Sequence, residues 1–256
     1  MKYSGDTVSS LTRDGQWRAR QPQFARLATQ DHLGRNIVLS LHGIGIPPVG
    51  IPDEERPFWI AEETFVSFIA DASSRANALG VGLHATFDDG NRSDLEIAAP
   101  VLAKYGIPAS FFPCTGRLTT PGYLTAGDIR RLFEMGFEIG SHGIDHVHWT
   151  KLDRDALDVE ITVSKRVLED ILATAIQSVA IPFGSYNRSV LTALKAAGYA
   201  RVYICDPGFA YPGQWQVRRW HYHTNELFDL EHFVYRSASV RHRIAVGMKC
   251  LLKGLR

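Results

Sequence analysis

Two adjacent carboxylates at the end of an apolar segment are the first residues in the chain that suggest chemistry. Asp88 and Asp89 follow residues 81–87, where apolar side chains alternate as in a strand, and Gly90 comes next. Successive strand side chains lie on opposite faces of a sheet, and a buried carboxylate needs a metal, a cation or water to compensate its charge. The pair therefore indicates either such a site or a polar strand end that turns at Asp-Gly.

Two histidines four residues apart follow a second short apolar segment. His142 and His146 belong to the sequence SHGIDH, residues 141–146. Imidazoles combined with a carboxylate are typical ligands of zinc-like divalent ions, and three protein ligands leave a position open for water or substrate. Together the two segments predict a catalytic metal site.

The composition is that of an ordinary globular protein. The chain has 256 residues, of which 45% are hydrophobic and 21% charged, with a net charge of +1. This length suits one large domain, and the charge gives no reason to expect nucleic acid or an acidic partner. Three widely spaced cysteines without a CxxC pair argue against a disulfide framework and against a cysteine zinc site.

The order of elements alternates strands with helices. This βαβ pattern predicts parallel strands with right-handed crossovers, and about seven repeats without a GxGxxG motif favour a closed barrel over a doubly wound sheet. The predicted strands cover residues 37–42, 81–87, 108–113, 137–140, 178–182, 201–205 and 217–221. The predicted helices cover residues 62–79, 94–105, 125–135, 153–173 and 187–197, and two more close the chain.

The unusual polar residues follow the predicted strands. In a parallel α/β barrel, the carboxyl ends of the strands carry the active site. We therefore expect these side chains to converge, with the Gly- and Pro-rich loop of residues 43–57 lying over the same end of the barrel. The set consists of His42, Asp88, Asp89, His142, His146, Pro182, Phe183, Gly184, Asp206, His221 and His223.

Three motifs make the chain similar to the metal-dependent polysaccharide deacetylases, the NodB-homology family or carbohydrate esterase family 4. The sequence TFDDG at residues 86–90 matches the first motif of this family, and HGIDH at residues 142–146 matches the second, H(S/T)xxH. The sequence IPFGSYN at residues 181–187 resembles the third motif. The resemblance covers about residues 37–220, and in motif order it is closest to the permuted poly-N-acetylglucosamine deacetylases.

The resemblance implies a distorted (β/α)7 barrel that removes acetyl groups from N-acetylated sugars. It implies that Asp89, His142 and His146 bind a divalent metal, with Zn²⁺ expected first and Co²⁺, Ni²⁺, Mn²⁺ or Fe²⁺ as alternatives. It also implies that Asp88 is the general base and that the backbone N–H of Phe183 helps to bind the oxyanion. Contacts with the carbohydrate are expected from Pro182, Tyr186, Arg219 and Trp220.

The general acid is the least defined part of this expectation. His42 ends the first strand and resembles the histidine of the amino-terminal strand in the permuted members, so we favour it. His221 and His223 are reserve candidates, and a structural histidine bonded to a loop carbonyl is the alternative for His42. His232 lies in an LxH motif, but this motif falls in a predicted helix.

Two departures from the family pattern affect the site. Gly143 replaces the Ser or Thr that follows the first metal histidine, which removes a hydroxyl that could brace the turn. Ala180 stands where many relatives have an arginine that pairs with the base. Arg219 or Arg218, from the last predicted strand, is the candidate replacement.

The two ends of the chain differ from the middle. Residues 1–35 form a predicted polar extension, residues 36–238 the barrel, and residues 239–256 a basic amphipathic helix. This helix fits either an anionic membrane surface or packing against the barrel. The polar start of the chain, without an apolar signal segment, leads us to expect a cytoplasmic location, with peripheral contact at the inner face of the membrane.

Three functions remain open at this level. The first is metal-dependent deacetylation of an N-acetylated sugar in a polysaccharide or its precursor. The second keeps the barrel and the metal but acts on a non-sugar amide or a cyclic imide. The third is an inactive carbohydrate-binding barrel that has lost its acid.

Overall fold

A computed structural model describes residues 34–222 and 230–255 of the chain. The predicted polar extension lies almost entirely outside the described residues, and so does His223. The strands are β1 Asn36–Leu41, β2 Gly82–Asp89, β3 Ala109–Pro113, β4 Glu138–Ile139, β5 Ser178–Ala180, β6 Arg201–Ile204, β7 Gln216–Arg218 and β8 Trp220–His221. The helices are α1 Glu62–Leu79, α2 Ala99–Tyr105, α3 Ala126–Glu134, α4 Arg154–Leu172, α5 Arg188–Ala196, α6 Leu230–Ala238 and α7 Val240–Leu255.

The strands form two parallel sheets that follow one another around the molecule. One sheet has the order β4-β3-β2-β1-β8, and the other has the order β5-β6-β7. The sheets meet at a single parallel bridge between Ser141 and Val179. They meet again where β7 continues into β8 across one residue, Arg219. The alternating α/β architecture is therefore confirmed, with its strands divided between two sheets.

The last predicted strand is interrupted, which corrects the prediction of one strand over residues 217–221. β7 pairs with β6, whereas β8 pairs with β1. Arg219 lies at the change of partner, so its side chain is placed between the two sheets and is fully buried.

Local sequence explains most helix ends. α1 matches its predicted bounds because its apolar residues recur at helical spacing and Gly80 ends it with a positive φ of 61°. Thr125 caps α3 in a reciprocal arrangement with Asp128, as expected for a capping box. The predicted helix over residues 94–105 begins with one π turn before it continues as α2.

The core lies between the sheets and the helices that cover them. Aromatic side chains form its centre, where the Phe87 ring stacks on Phe111 at a centroid distance of 5.1 Å, and Phe65 contacts Phe87 edge-on. Such pairs add about 0.5–1.5 kcal/mol each to the free energy of burial. This packing and the pairing of β2 with β3 hold the end of β2, which carries the two aspartates, in place. Among the described helices, none is long and apolar enough to cross a membrane.

Candidate metal centre and active site

Asp88 and Asp89 end β2 inside the molecule, each with about 2% of its surface exposed. Asp89 has a positive φ of 76°, which is uncommon for a residue other than glycine. The backbone therefore turns at Asp89. The two carboxylates have different main partners. Arg219 donates hydrogen bonds to Asp88, whereas two imidazoles and, at 3.8 Å, the guanidinium of Arg117 lie next to Asp89.

Asp89, His142 and His146 form a cluster whose ligand atoms all lie within 4.8 Å of one another. Oδ1 of Asp89 is 3.7 Å from Nε2 of His142 and 3.3 Å from Nε2 of His146. The structure thus brings together the three residues that the sequence predicts as metal ligands.

Three observations show that this cluster suits a divalent cation. Nδ1 of His142 is 2.8 Å from the carbonyl oxygen of Ala180, so it carries the proton and leaves the Nε2 lone pair toward the cluster. Burial lowers the pKa of His142 to about 3, which keeps the imidazole neutral. Oδ1 of Asp89 is buried and has no hydrogen-bond partner among the described residues.

The charge of Asp89 is only partly compensated, because the nearest guanidinium, that of Arg117, lies 3.8 Å from its Oδ1 and also binds Glu55. Burial raises its pKa to about 6, and the nearby carboxylates of Glu55 and Asp88 raise it further against the opposing effect of His146. A cation between Asp89 and the two imidazoles would supply the missing charge, because burying a charge without a partner is costly.

A residue that the sequence analysis missed, Glu55, supports His146. Oε1 of Glu55 is 3.3 Å from Nδ1 of His146, and Arg117 donates two hydrogen bonds to the same carboxylate, at 2.7 and 3.3 Å. Burial opposes ionisation of Glu55, but His146 and Arg117 outweigh it and lower its pKa to about 2. Burial by itself lowers the pKa of His146. The hydrogen bond to Glu55 outweighs this effect, so the pKa of His146 is raised above its usual value.

The position of Glu55 confirms that the loop of residues 43–57 lies over the site. This loop is attached at its base, where the Gly45 amide donates to the carbonyl of Ile60 and the Ile60 amide donates to that of Gly43. A carboxylate bonded to the outer nitrogen of a metal-binding histidine orients the ring and increases its basicity. No sequence signal separates Glu55 from the two acidic residues that precede it in this loop, Asp53 and Glu54.

Asp88 is held by a buried guanidinium. Arg219 donates to both carboxylate oxygens, at 2.7 and 2.9 Å, and also to Oγ1 of Thr86. Burial opposes ionisation of Asp88, but Arg219 outweighs it and holds the pKa well below its usual range. Arg219, and not Arg218, is therefore the residue that replaces the arginine expected at the position of Ala180.

His42 lies beside this pair. Its ring centroid is 6.0 Å from that of His221 and 4.9 Å from that of Phe58. Burial lowers the pKa of His42 to about 3, although the charge of Asp88 acts in the opposite direction. The imidazole is therefore neutral at physiological pH, and as a general acid it would have to gain its proton during the reaction.

The third motif places an exposed aromatic ring at the rim. Phe183 has a positive φ of 57°, and 48% of its surface is exposed. Its ring stacks on His146 at 4.4 Å and on His148 at 3.9 Å. Of the four residues other than glycine with positive φ in the described chain, three are at this site: Asp89, His146 and Phe183. Such strain is often concentrated at functional sites.

The four residues predicted to contact the carbohydrate are all buried, namely Pro182, Tyr186, Arg219 and Trp220. Tyr186 donates a hydrogen bond of 2.8 Å to Asp206, and the Trp220 ring stacks on Phe233. Arg219 lies behind Asp88 and not on a surface that a sugar can reach. The exposed ring of Phe183 is a better candidate for contact with a substrate.

The structure explains why a glycine, Gly143, follows the first histidine of the metal cluster. Gly143 has a φ of +80°, and a Cβ at this position would lie 2.5 Å from the Glu160 carboxylate. Glu160 accepts hydrogen bonds from the amides of Ile144 and Asp145 and from the Trp149 indole. The carboxylate of Glu160 thus braces the turn, in the space that a larger side chain would need.

Comparisons with known proteins agree with this geometry. Residues 81–202 match the family described as Polysaccharide deacetylase, which confirms the resemblance seen in the motifs. YxkH of Bacillus subtilis (strain 168), whose name suggests a polysaccharide deacetylase, is 30% identical over 125 residues. The match covers 49% of this chain and 45% of the relative, so the chain spans less than half the length of that relative.

Solved deacetylase structures share the fold. The deacetylase PplD of Streptococcus pyogenes, in complex with acetate, matches 80% of this chain and 98% of its own, with a TM-score of 0.65 and 19% identity. IcaB of Ammonifex degensii matches 80% of this chain and 96% of its own, with a TM-score of 0.62 and 19% identity. At this level of identity, the similarity concerns the fold alone.

Proposed function

Since residues 81–202 match the polysaccharide deacetylase family, we propose that this protein hydrolyses the acetamido group of an N-acetylated sugar with the help of a bound divalent metal, Zn²⁺ in the first instance. The single observation that carries this proposal is the arrangement at the end of β2. Asp89 forms a ligand cluster with two imidazoles. The neighbouring Asp88 is not part of that cluster and accepts hydrogen bonds from Arg219.

The proposed metal site consists of Asp89, His142 and His146. When bound there, a divalent ion polarises the acetyl carbonyl and lowers the pKa of water. The protein contributes the orientation of the ligands, through the Ala180 carbonyl on His142 and Glu55 on His146.

Asp88 is the proposed general base. Its carboxylate accepts a proton from the water that attacks the acetyl carbon, and the C–N bond then breaks to give acetate and a free amine. Arg219 keeps Asp88 ionised, so the carboxylate is ready to accept this proton over the whole physiological pH range. The backbone N–H of Phe183 is the proposed donor to the oxyanion.

The amine leaves with a proton that an acid must supply. His42 remains our proposed donor because its ring lies at the same rim as Asp88. As a neutral imidazole, it first has to receive a proton, and the proton taken up by Asp88 is the available source.

The decisive experiment measures acetate release by zinc-loaded protein from N-acetylglucosamine oligomers, nucleotide-linked N-acetyl sugars, small amides and cyclic imides. For Asp88→Asn, we expect at least about a 100-fold loss of turnover with unchanged metal content. Asp145→Asn is the matched control, because Asp145 is an exposed carboxylate in the loop between the two histidines.

Each outcome of this experiment has a defined meaning. Full activity of Asp88→Asn would contradict the assigned base. Turnover only of amides or imides would replace the sugar substrate. Binding of metal and sugar without any acetate release would identify a carbohydrate-binding barrel.

A further inference from the structure

The last helix exposes an apolar stripe to solvent. At about 100° per residue, the stripe lies within about 120° of the circumference of α7. Each member has more than half of its surface exposed. The stripe consists of Val240, Ile244, Met248, Leu251, Leu252 and Leu255.

The opposite side of α7, which carries charged groups, is the one that attaches the helix to the barrel. Lys253 donates hydrogen bonds of 2.8 and 3.1 Å to the buried carboxylate of Asp206, and Val246 is buried. A helix of a globular protein normally buries its apolar stripe. In α7 the charged side faces the barrel and the apolar stripe faces solvent. Among the described residues, nothing covers this stripe.

Basic side chains border the exposed stripe. Arg241 and Arg243 are exposed, and residues 232–256 contain no acidic residue. Lys249 is also exposed, but its ammonium lies 3.6 Å from the carboxylate of Asp206. Exposed apolar side chains between basic residues are typical of helices that lie in the interface of an anionic membrane.

A cavity of about 500 Å³ adjoins the beginning of this stripe. Its lining residues include Arg218 and Arg243 together with Val240 and Ile244. Neither arginine forms an ion pair with a carboxylate in the part of the chain that the structure describes. Guanidinium groups suit phosphate oxygens in both geometry and charge, so the cavity fits the phosphate of a lipid headgroup.

We propose that α7 and the adjoining cavity form a binding surface for anionic phospholipid. The apolar stripe enters the acyl region, and the basic residues, with Arg218 and Arg243 in the cavity, contact lipid phosphates. A second copy of the chain fits this face poorly. A two-fold interface would bring the same basic patch of each copy together, without acidic residues on α7 to pair with it.

The carboxyl end of α7 also lies at the rim of the barrel. Lys253 and Tyr186 share the carboxylate of Asp206, and Tyr186 belongs to the third motif. The proposed surface would therefore place the rim of the candidate active site next to the lipid. The proposal itself concerns lipid binding, and its test is independent of deacetylation.

The test is co-sedimentation of the full chain with vesicles. We expect binding to vesicles that contain phosphatidylglycerol, and little to vesicles of phosphatidylcholine alone. The double variant Arg241→Gln/Arg243→Gln should bind about 30-fold more weakly, and Ile244→Gln/Leu251→Gln should lose binding altogether. Val159→Gln is the matched control, because Val159 is a half-exposed apolar residue on α4.

Several results would overturn the proposal. One is that the wild-type protein stays in the supernatant with both vesicle compositions. Another is that both double variants bind as the wild type does. Light scattering of the protein without lipid provides a further criterion. If it shows a dimer that Ile244→Gln/Leu251→Gln converts to a monomer while vesicles bind neither form, the stripe is a contact between copies. Far-UV circular dichroism confirms that each variant is folded.

Discussion

Two regions of the rim each bury an aspartate against a cation, but they bury the cation to different degrees. Inside the mouth of the barrel, Arg219 is completely buried and donates to both oxygens of Asp88. On the outer flank, the Lys253 side chain retains 27% exposure where it contacts Asp206. The inner pair connects residues of the barrel wall, whereas the outer pair attaches the last helix.

The difference in burial indicates that the two aspartate–cation pairs have different roles. A guanidinium fixed in the barrel wall holds one carboxylate in one ionisation state and one orientation. A lysine on a flexible stem at the surface gives an adjustable attachment, because its ammonium is a point charge with rotatable donors. Changes to the inner pair should therefore affect both stability and chemistry, and changes to the outer pair should mainly affect the helix.

The largest effect is expected for Arg219→Met. This change leaves the charge of Asp88 buried without a partner, and we expect a loss of about 3–5 kcal/mol in the free energy of unfolding. Urea denaturation measures it. Asp88→Asn/Arg219→Met removes both charges, so this double variant should recover much of the lost stability. Equal stability of Arg219→Met and wild type would mean that water or another cation compensates Asp88.

A smaller effect, on metal binding, is expected for Glu55→Gln. The neutral amide is a weaker acceptor for Nδ1 of His146, so we expect metal affinity to fall about 10- to 100-fold. Titration of the metal-free protein with Zn²⁺ and a competing chelator measures this change. Glu54→Gln is the control, because Glu54 is exposed beside it on the same loop. Equal losses in both variants would assign the effect to the loop as a whole.

The smallest effect concerns the outer pair and the pH dependence of stability. Burial opposes ionisation of Asp206, but Lys253 and Tyr186 outweigh it, so its pKa is lowered in the folded protein. Its contribution to stability is therefore present above the unfolded pKa of about 3.9. That contribution is lost as the pH falls through the folded pKa.

Asp206→Asn should flatten this acid dependence below about pH 4 and increase amide exchange in α7. Urea denaturation across acid pH and hydrogen exchange provide the two measurements. Asp158→Asn, at an exposed position on α4, is the control. If the free energy of unfolding of Asp206→Asn depended on acid pH as that of the wild type does, Asp206 would not contribute to this dependence.

Much of the site could be predicted from the sequence, because its main residues occur in short motifs at strand ends. Asp88, Asp89, His142 and His146 were identified in this way, and the structure brings them together. Helix α1 was predictable to the residue because its apolar period and the following glycine agree.

The supporting residues could not be predicted, because their partners are distant along the chain. Glu55 contacts a histidine 91 positions further on, and Glu160 braces a turn from the middle of a helix. Neither belongs to a periodic pattern. The change of strand partner at Arg219 depends on how the two sheets meet, which a run of apolar residues does not encode.

The last helix shows a different limit. The spacing of Val240, Ile244 and Met248 identifies an amphipathic helix, but the same spacing suits an inward or an outward apolar side. The attachment of Lys253 to Asp206 decides the orientation, and this contact exists only in the folded chain.

The late position of Arg219 has a consequence for the newly made protein. The guanidinium that pairs with Asp88 lies 131 residues further along the chain. A polypeptide still emerging from the ribosome carries both aspartates and both histidines long before this cation is available. The complete candidate site therefore forms only after Arg219 has been synthesised, and chains that stop before this residue should lack the cation that holds Asp88.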